Sequence, residues 1–203
     1  LLVHRREYNG ILEAIARRYH GQILDYQGDF QMIGFGLRHD DDQEHPIEAA
    51  SAALEIVASV PGLSQMWGVS EESLRVHAGV CTGPVALGHV GSLQKQDVAA
   101  IGDTTNTAAR ILASAISLNR KVLVAATTFS AAGDHLQGES LPPLELRNKS
   151  QPVEVFALEQ VDPRWRLANL ARKKGTIPSG GTIEYSPQTR GSLLLTLAFS
   201  LVA

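Results

Sequence analysis

A strand–turn–helix segment at residues 97–110 constrains the fold of this chain more than any other feature. A short apolar run ends at Gly102, and Asp103 can cap the amphipathic helix that follows. Asn106 and Arg110 stand four positions apart, so their side chains project from one helical face near the N-terminus. Free N–H groups and partial positive charge at that end suit a phosphate. A capped surface helix whose polar residues face water is the alternative interpretation.

Composition and charge bound the class of protein. The 203 residues suffice for one domain with a full core, and 44% hydrophobic with 19% charged residues is typical of a globular chain. The net charge of −3 provides no basic field, so we expect no nucleic-acid partner. The single cysteine, Cys81, excludes an internal disulfide and indicates a reducing compartment. We therefore expect a cytoplasmic location, either free or as the cytoplasmic part of a membrane-linked protein.

Helical and strand periodicities alternate along most of the chain and predict an α+β sandwich. The first helix covers residues 8–19 and closes at Gly21, and apolar runs around Gly28-Asp29 predict a hairpin. Pro46 opens a second helix, which a loop over residues 61–73 follows.

The second half of the predicted domain is richer in strands. Residues 74–80 alternate as a strand, Thr82-Gly83-Pro84 predicts a turn, and residues 85–90 predict the returning strand. After the 103–110 helix, we expect further strands at residues 121–125, 144–146 and 153–157, and a short helix at 127–132.

Residues 161–203 differ in composition from the domain expected over residues 1–160. A basic cluster at 164–174 and a turn-rich linker precede residues 193–203, which are almost wholly apolar. These eleven residues are too few to span a bilayer, which needs about 20. Three interpretations stay open: a cut membrane segment, a non-native end, or a strand docked in the core. Any membrane contact is expected only through this end.

Four motifs follow one another in order: Gly28-Asp29, His77–Gly83, Gly88–Ser92 and Gly102–Arg110. The last has the form Gly-Asp-Thr-x-Asn-Thr-Ala-x-Arg, which is a specific signal. Together they resemble the catalytic domain of the class III adenylate and guanylate cyclases, over residues 8–158. The resemblance implies a ferredoxin-like α+β fold and a head-to-tail homodimer with shared active sites. It also implies conversion of ATP or GTP to the 3′,5′-cyclic monophosphate and pyrophosphate, with two Mg²⁺ or Mn²⁺ ions per site, for intracellular signalling.

The resemblance also assigns roles to single residues. It implies that Asp29 binds metal, that Asn106 orients the ribose, and that Arg110 stabilises the charged transition state. Arg147 falls where a triphosphate-binding lysine is usual, and arginine also grips phosphate. On residue chemistry alone, a carboxylate on a tight turn suits Mg²⁺, with a plain turn aspartate as the alternative.

Two positions correspond to the base-reading residues of the family. Asp25 can accept hydrogen bonds from the N1–H and amino group of guanine, which favours GTP. Ala99 can make no side-chain hydrogen bond, so we expect weak selectivity between the purines.

The resemblance is not complete at the N-terminus. The family's other metal aspartate lies on a strand well before the second one, and only 28 residues precede Asp29 here. We therefore expect an N-terminally incomplete cyclase domain whose sheet lacks one strand. The alternative to an enzyme is a catalytically inactive cyclase-like module that dimerises and regulates another domain. Diguanylate cyclases and polymerase palms share the fold but lack the helix with Asn106 and Arg110.

Overall fold

A computed structural model describes residues 2–37, 43–92, 95–147, 149–171 and 189–198. Within these residues the helices are α1 (Leu2–Arg18), α2 (His45–Ala58), α3 (Val60–Trp67), α4 (Asp103–Ser117), α5 (Ala126–Ala131) and α6 (Pro163–Ala171). The strands are β1 (Gln22–Gln27), β2 (Phe30–Phe35), β3 (Val76–Ser92), β4 (Lys95–Ile101), β5 (Val122–Ala125), β6 (Leu136–Ser140), β7 (Val155–Val161) and β8 (Thr189–Ala198).

The strands form one sheet in the order β1-β2-β8-β3-β5-β7-β6, and β4 pairs with the distal part of β3. Only the β3–β5 pair is parallel among the described strands. Strand β8 runs antiparallel to both neighbours, with Leu197 opposite Phe30 of β2 and opposite His77 of β3. Of the three interpretations of the apolar end, the docked strand is therefore the one that the structure supports. Residues 199–203 lie outside the described residues.

Helices cover both faces of the sheet, and strand alternation decides which side chains meet which helix. In β5, Val122 and Val124 join the core formed with α1 and α2, whereas Leu123 and Ala125 join the core formed with α4. A strand that is buried on both faces reads as a continuous apolar run, and β5 has this pattern.

Helix α6 is tied to α1 and α2 by a polar network around Glu55. Arg166 donates hydrogen bonds to the Tyr19 hydroxyl (Nε–Oη 3.0 Å) and to Glu55 (Nη2–Oε2 3.1 Å), and Tyr19 also donates to Glu55 (Oη–Oε2 2.7 Å). Burial raises the pKa of the Tyr19 hydroxyl, which keeps it a donor. Trp165 is buried in the main core, so α6 packs with the preceding described elements, and β8 joins them through its pairing with β2 and β3.

The predicted turn at Thr82-Gly83-Pro84 is wrong, because β3 continues through it from Val76 to Ser92. Pro84 lies opposite Arg190 of β8, and its carbonyl oxygen accepts a hydrogen bond from Thr104. At Pro84 the described pairing of β3 is with β8 alone, since β5 pairs with residues 78–80 and β4 with residues 86–92, and a strand tolerates proline where one side is unpaired.

Two further predictions need correction. Most of the predicted loop over residues 61–73 is α3, in which Pro61 occupies the first turn, where its missing N–H costs nothing. The residue with a left-handed φ at the end of helix α1 is His20, with a φ of 58°, and not Gly21 as predicted. In addition, strand β6 was not predicted.

The stretch His45–Trp67, which spans α2 and α3, is long and apolar enough to cross a membrane by length and composition alone. Most of α2 is buried against the sheet, with Ala49, Ala53 and Ile56 fully enclosed. A core helix passes the same test, and its burial here accounts for its composition.

Candidate functional site

Helix α4 begins where strand β4 ends, and two threonines fix its first turn to the sheet. Thr104 donates a hydrogen bond to the carbonyl of Pro84 in β3 (Oγ1–O 2.7 Å). Thr105 donates to the carbonyl of Ala100 in β4 (Oγ1–O 3.2 Å). The start of the helix is therefore held by both strands of the β3–β4 hairpin.

The cap of α4 differs from the prediction. Gly102 is the N-cap, with a φ of 152° that favours glycine, and no side chain caps the helix. Asp103 is the first helical residue, and its side chain is 76% exposed. A negative charge in the first turn stabilises a helix through its dipole.

The two faces of α4 have different roles. Its buried face packs on the sheet through Thr104, Thr107, Ala108, Ile111, Leu112 and Ala115. Asn106 is exposed and Arg110 is half-buried on the remaining surface. Within the described part of the chain, Arg110 forms no ion pair. Both groups predicted to act on substrate are thus presented to solvent.

Close contact at Gly79 sets the distance between α4 and strand β3. A Cβ added at Gly79 would come within 2.5 Å of the Leu112 nitrogen and 2.7 Å of the Ala108 carbonyl oxygen. Only glycine permits this approach of helix and strand.

The loop that carries Arg147 reaches the start of α4. Leu144 and Val153 form an isolated antiparallel bridge at its base. The Lys149 ammonium group forms an ion pair with the Asp103 carboxylate, while Arg147 is exposed. The structure therefore places Arg147 and the two α4 residues in neighbouring elements.

The β1–β2 hairpin carries Asp29 at its tip, as predicted. Gly28 supplies the left-handed φ of 61° that the tight turn requires. Arg5 of α1 forms an ion pair with Asp29 (Nη2–Oδ1 3.2 Å) and also donates to the Gly28 carbonyl. A guanidinium cation thus already neutralises the carboxylate that was predicted to bind metal.

The two predicted base-reading positions lie on adjacent elements. Asp25 lies in β1 opposite Met32, next to an irregularity in the pairing. Ala99 lies in β4 opposite Gly88, and β1 contacts β4. The arrangement brings the two positions to the same region of the domain.

The described residues do not provide the donor set of a two-ion site. No group of three or more His, Cys, Asp or Glu side chains among them is close enough to hold a metal ion. The strand next to the Asp29 hairpin is β8, and residues 189–198 contain no acidic residue. One carboxylate that is already paired with Arg5 does not fit two Mg²⁺ or Mn²⁺ ions.

A sequence profile decides the family. The profile of the adenylate and guanylate cyclase catalytic domain matches residues 6–160, which is most of the chain. The chain belongs to this family. The predicted resemblance is confirmed by this match, which includes the α4 segment and the β1–β2 hairpin. The family generally uses divalent metal ions.

Relatives of known type include cyclases of both nucleotide classes. Retinal guanylyl cyclase 2 of Rattus norvegicus is 34% identical over 101 residues, which make up 50% of this chain and 9% of that protein. Adenylate cyclase 1 of Rhizobium meliloti is 22% identical over 152 residues, or 74% of this chain and 23% of that protein. The chain thus spans less than a quarter of the length of these curated relatives.

Solved cyclase structures share the fold. The adenylyl cyclase CyaB from P. aeruginosa superposes with a TM-score of 0.71 at 22% identity, covering 79% of this chain and 82% of that one. The guanylyl cyclase Cya2 superposes with a TM-score of 0.66 at 20% identity, covering 78% and 79%. The predicted α+β fold of the nucleotide cyclase type is therefore confirmed.

Two charged contacts of this cyclase domain were missed by sequence reasoning. From the sequence, neither Lys149 nor Arg5 was assigned a contact. The partners of these residues are 46 and 24 positions away, respectively. Local periodicity carries no signal over such separations.

Proposed function

We propose that this chain is a purine nucleotide cyclase domain. In the proposed reaction the ribose 3′-hydroxyl of ATP or GTP loses its proton to water, and its oxygen attacks the α-phosphorus. A 3′-oxygen–phosphorus bond forms, the bond from the α-phosphorus to the bridging oxygen breaks, and pyrophosphate leaves. The observation that carries this proposal is that Asn106 and Arg110 lie on one solvent-accessible face of α4. The chain that carries them belongs to the cyclase family.

The roles proposed for the residues follow from their chemistry. Asn106 has a neutral amide that orients the ribose oxygen beside the phosphate. Arg110 supplies a fixed cation for the charge that develops on the phosphorus oxygens. Arg147 binds the triphosphate, since a guanidinium group can donate hydrogen bonds to two phosphate oxygens at once.

The choice of purine depends on Asp25 and Ala99. A carboxylate at position 25 favours guanine, and an alanine at position 99 adds no discrimination. We therefore propose GTP as the preferred substrate, with ATP accepted less well.

The proposal of two Mg²⁺ or Mn²⁺ ions per site rests on family membership. The arrangement of Arg5 and Asp29 does not support it within a single chain, so no catalytic step is assigned to a metal ion here.

We propose that two chains associate head to tail, so that each shared site combines α4 of one chain with the β1–β2 hairpin of the other. One solved neighbour is described as a non-canonical dimeric guanylyl cyclase domain, with a TM-score of 0.63 at 20% identity, which supports association of two chains but not its head-to-tail form. Mixing an Asp29→Ala variant with an Arg110→Ala variant tests the sharing. If each site takes residues from both chains, the mixture regains product formation that neither variant shows alone. A mixture no more active than its components contradicts the shared site.

The central test is formation of cyclic nucleotide from ATP and from GTP, assayed separately with Mn²⁺ and identified by mass spectrometry. Arg110→Ala is expected to lower kcat by about 10²–10³-fold, as for loss of one transition-state donor. Lys121→Ala removes an exposed cation just before β5 and serves as the matched control. Equal rates for wild type and Arg110→Ala would rule out the proposed role of Arg110.

A second candidate function is a catalytically inactive cyclase-like module that dimerises and regulates another domain. The Arg5–Asp29 ion pair and the lack of an acidic residue in β8 favour it. A folded dimer that binds GTP but yields no cyclic product would establish this alternative. For either function we propose a cytoplasmic location, because the single Cys81 is a buried free thiol that fits a reducing compartment.

A further inference from the structure

Lys149 and Asp103 form an ion pair between the Arg147 loop and the first residue of α4. The Lys149 side chain is only 21% exposed, whereas the Asp103 side chain is 76% exposed. The lysine therefore comes from the packed side of the contact and reaches an aspartate at the surface.

The position of Asp103 creates an electrostatic conflict. Its carboxylate is stabilised by the helix dipole, but it also places a negative charge about one turn before Asn106 and about two turns before Arg110. A nucleoside triphosphate bound near these residues carries several negative charges of its own. Repulsion between the two would weaken binding unless a nearby cation offsets the carboxylate.

Lys149 also closes the turn that presents Arg147. Its backbone N–H donates to the carbonyl of Leu146 (N–O 3.1 Å), so Arg147 lies inside this turn. Because the Lys149 side chain is bound to Asp103, the turn is anchored on α4. One residue thus couples the position of the loop to the charge at the helix start.

We propose that Lys149 is a positioning residue that acts through Asp103, offsetting its charge so that the start of α4 accepts the triphosphate of the substrate. This inference rests on the proposed cyclase function. It assigns Lys149 no contact with the substrate, in contrast to Arg147.

The test measures binding of a 3′-deoxynucleoside triphosphate, which lacks the attacking hydroxyl, and of the matching monophosphate, by calorimetry on the full chain. Lys149→Gln is expected to raise the Kd of the triphosphate about two- to tenfold, and that of the monophosphate less. The double variant Asp103→Asn/Lys149→Gln is expected to return the triphosphate Kd to the wild-type value, because the uncompensated charge is gone. Where turnover is measured, KM should follow the Kd while kcat stays constant.

Three results would overturn the proposal. A double variant as weak as Lys149→Gln would show that Lys149 contacts phosphate itself. Equal weakening of the triphosphate and the monophosphate would show a purely structural role. A wild-type Kd in Lys149→Gln would show no role at all.

Two controls keep the outcomes separate. Lys121→Gln removes an exposed cation elsewhere and should leave both Kd values unchanged. Thermal unfolding of each variant confirms that it is folded before binding is compared. If the wild-type chain binds no purine nucleoside triphosphate, it is the proposed function that fails, and this result is distinct from the three above.

Discussion

The start of α4 and the tip of the β1–β2 hairpin carry the two kinds of charge expected in a cyclase site, and the fold treats them differently. Arg110 on α4 has no ion-pair partner in the described part of the chain, whereas Asp29 on the hairpin is paired with Arg5. A free cation can bind an anionic substrate at once, but a paired carboxylate has to release its partner before it binds another cation. The fold thus leaves free the cation of the half that is proposed to bind phosphate, and pairs the carboxylate of the half that was predicted to bind metal.

The difference has a structural basis. The α4 start is fixed by side-chain hydrogen bonds to two strands and by close contact with Gly79. The hairpin tip is an exposed turn whose Asp29 pairs with Arg5 of α1. Strand β8 joins the two regions, because it pairs with β2 of the hairpin and with β3 beneath α4.

The largest expected effect comes from breaking that connection. Leu194 of β8 lies opposite Ile33 of β2 and Val80 of β3, in the middle of the sheet. Leu194→Pro removes a ladder N–H there and is expected to lower the free energy of unfolding by about 3 kcal/mol or more. Urea unfolding followed by circular dichroism measures it.

Thr189→Pro is the matched control for this variant, since Thr189 is the first residue of β8 and pairs only with β3. Proline is tolerated at the first position of a strand. If Leu194→Pro unfolds at the same urea concentration as the control, β8 does not hold the two regions together.

The second-largest expected effect comes from disturbing the close packing of α4 on β3. Gly79→Ala forces a methyl group against the α4 backbone and is expected to cost about 1–3 kcal/mol of stability, with a displaced Arg110 and lower turnover. Gly88→Ala, on the same strand, has nothing within 4 Å of the added methyl and serves as control. Identical melting temperatures for the two variants would contradict the close contact.

A smaller effect concerns Cys81, which is buried on the α4 side of the sheet. Burial raises the pKa of its thiol to about 11 from an ordinary 9.0. A raised thiol pKa contributes stability that is complete below pH 9 and is lost as pH rises towards 11. The native protein should therefore resist thiol-specific reagents at pH 8, and Cys81→Ala should flatten the alkaline loss of stability. Rapid labelling of the native thiol would show that this side of the sheet is open.

The smallest change in stability, under about 1 kcal/mol, is expected for Arg5→Gln, because the pair with Asp29 is exposed. The informative readout is Mn²⁺ affinity, measured by electron paramagnetic resonance. Freeing Asp29 should tighten Mn²⁺ binding relative to wild type, while the neighbouring exposed Arg6→Gln should not. An unchanged Mn²⁺ affinity in Arg5→Gln would show that Arg5 does not keep Asp29 from binding a metal ion, and the hairpin would then not differ from α4 in this respect.

Much of the site was predictable because its signals are local. The glycine before α4 and the four-residue spacing of Asn106 and Arg110 follow from helix geometry, and Gly28-Asp29 follows from turn chemistry. The continuous course of β3 through Pro84 was not predictable, since it depends on pairing with β8, far away in sequence. The assigned roles of all six site residues stay predictions: Asp25, Asp29, Ala99, Asn106, Arg110 and Arg147.

The sequence by itself determined the cyclase family, the existence of α4 and of the β1–β2 hairpin, and the residues each of them presents. Periodicity and turn propensity act within a few residues, so short stretches of sequence are enough to specify these features. Only the tertiary structure decided that residues 189–198 complete the centre of the sheet, that Arg5 neutralises Asp29, and that Lys149 reaches Asp103. Such pairings depend on which distant segments the shared core brings together, and no local pattern specifies that choice.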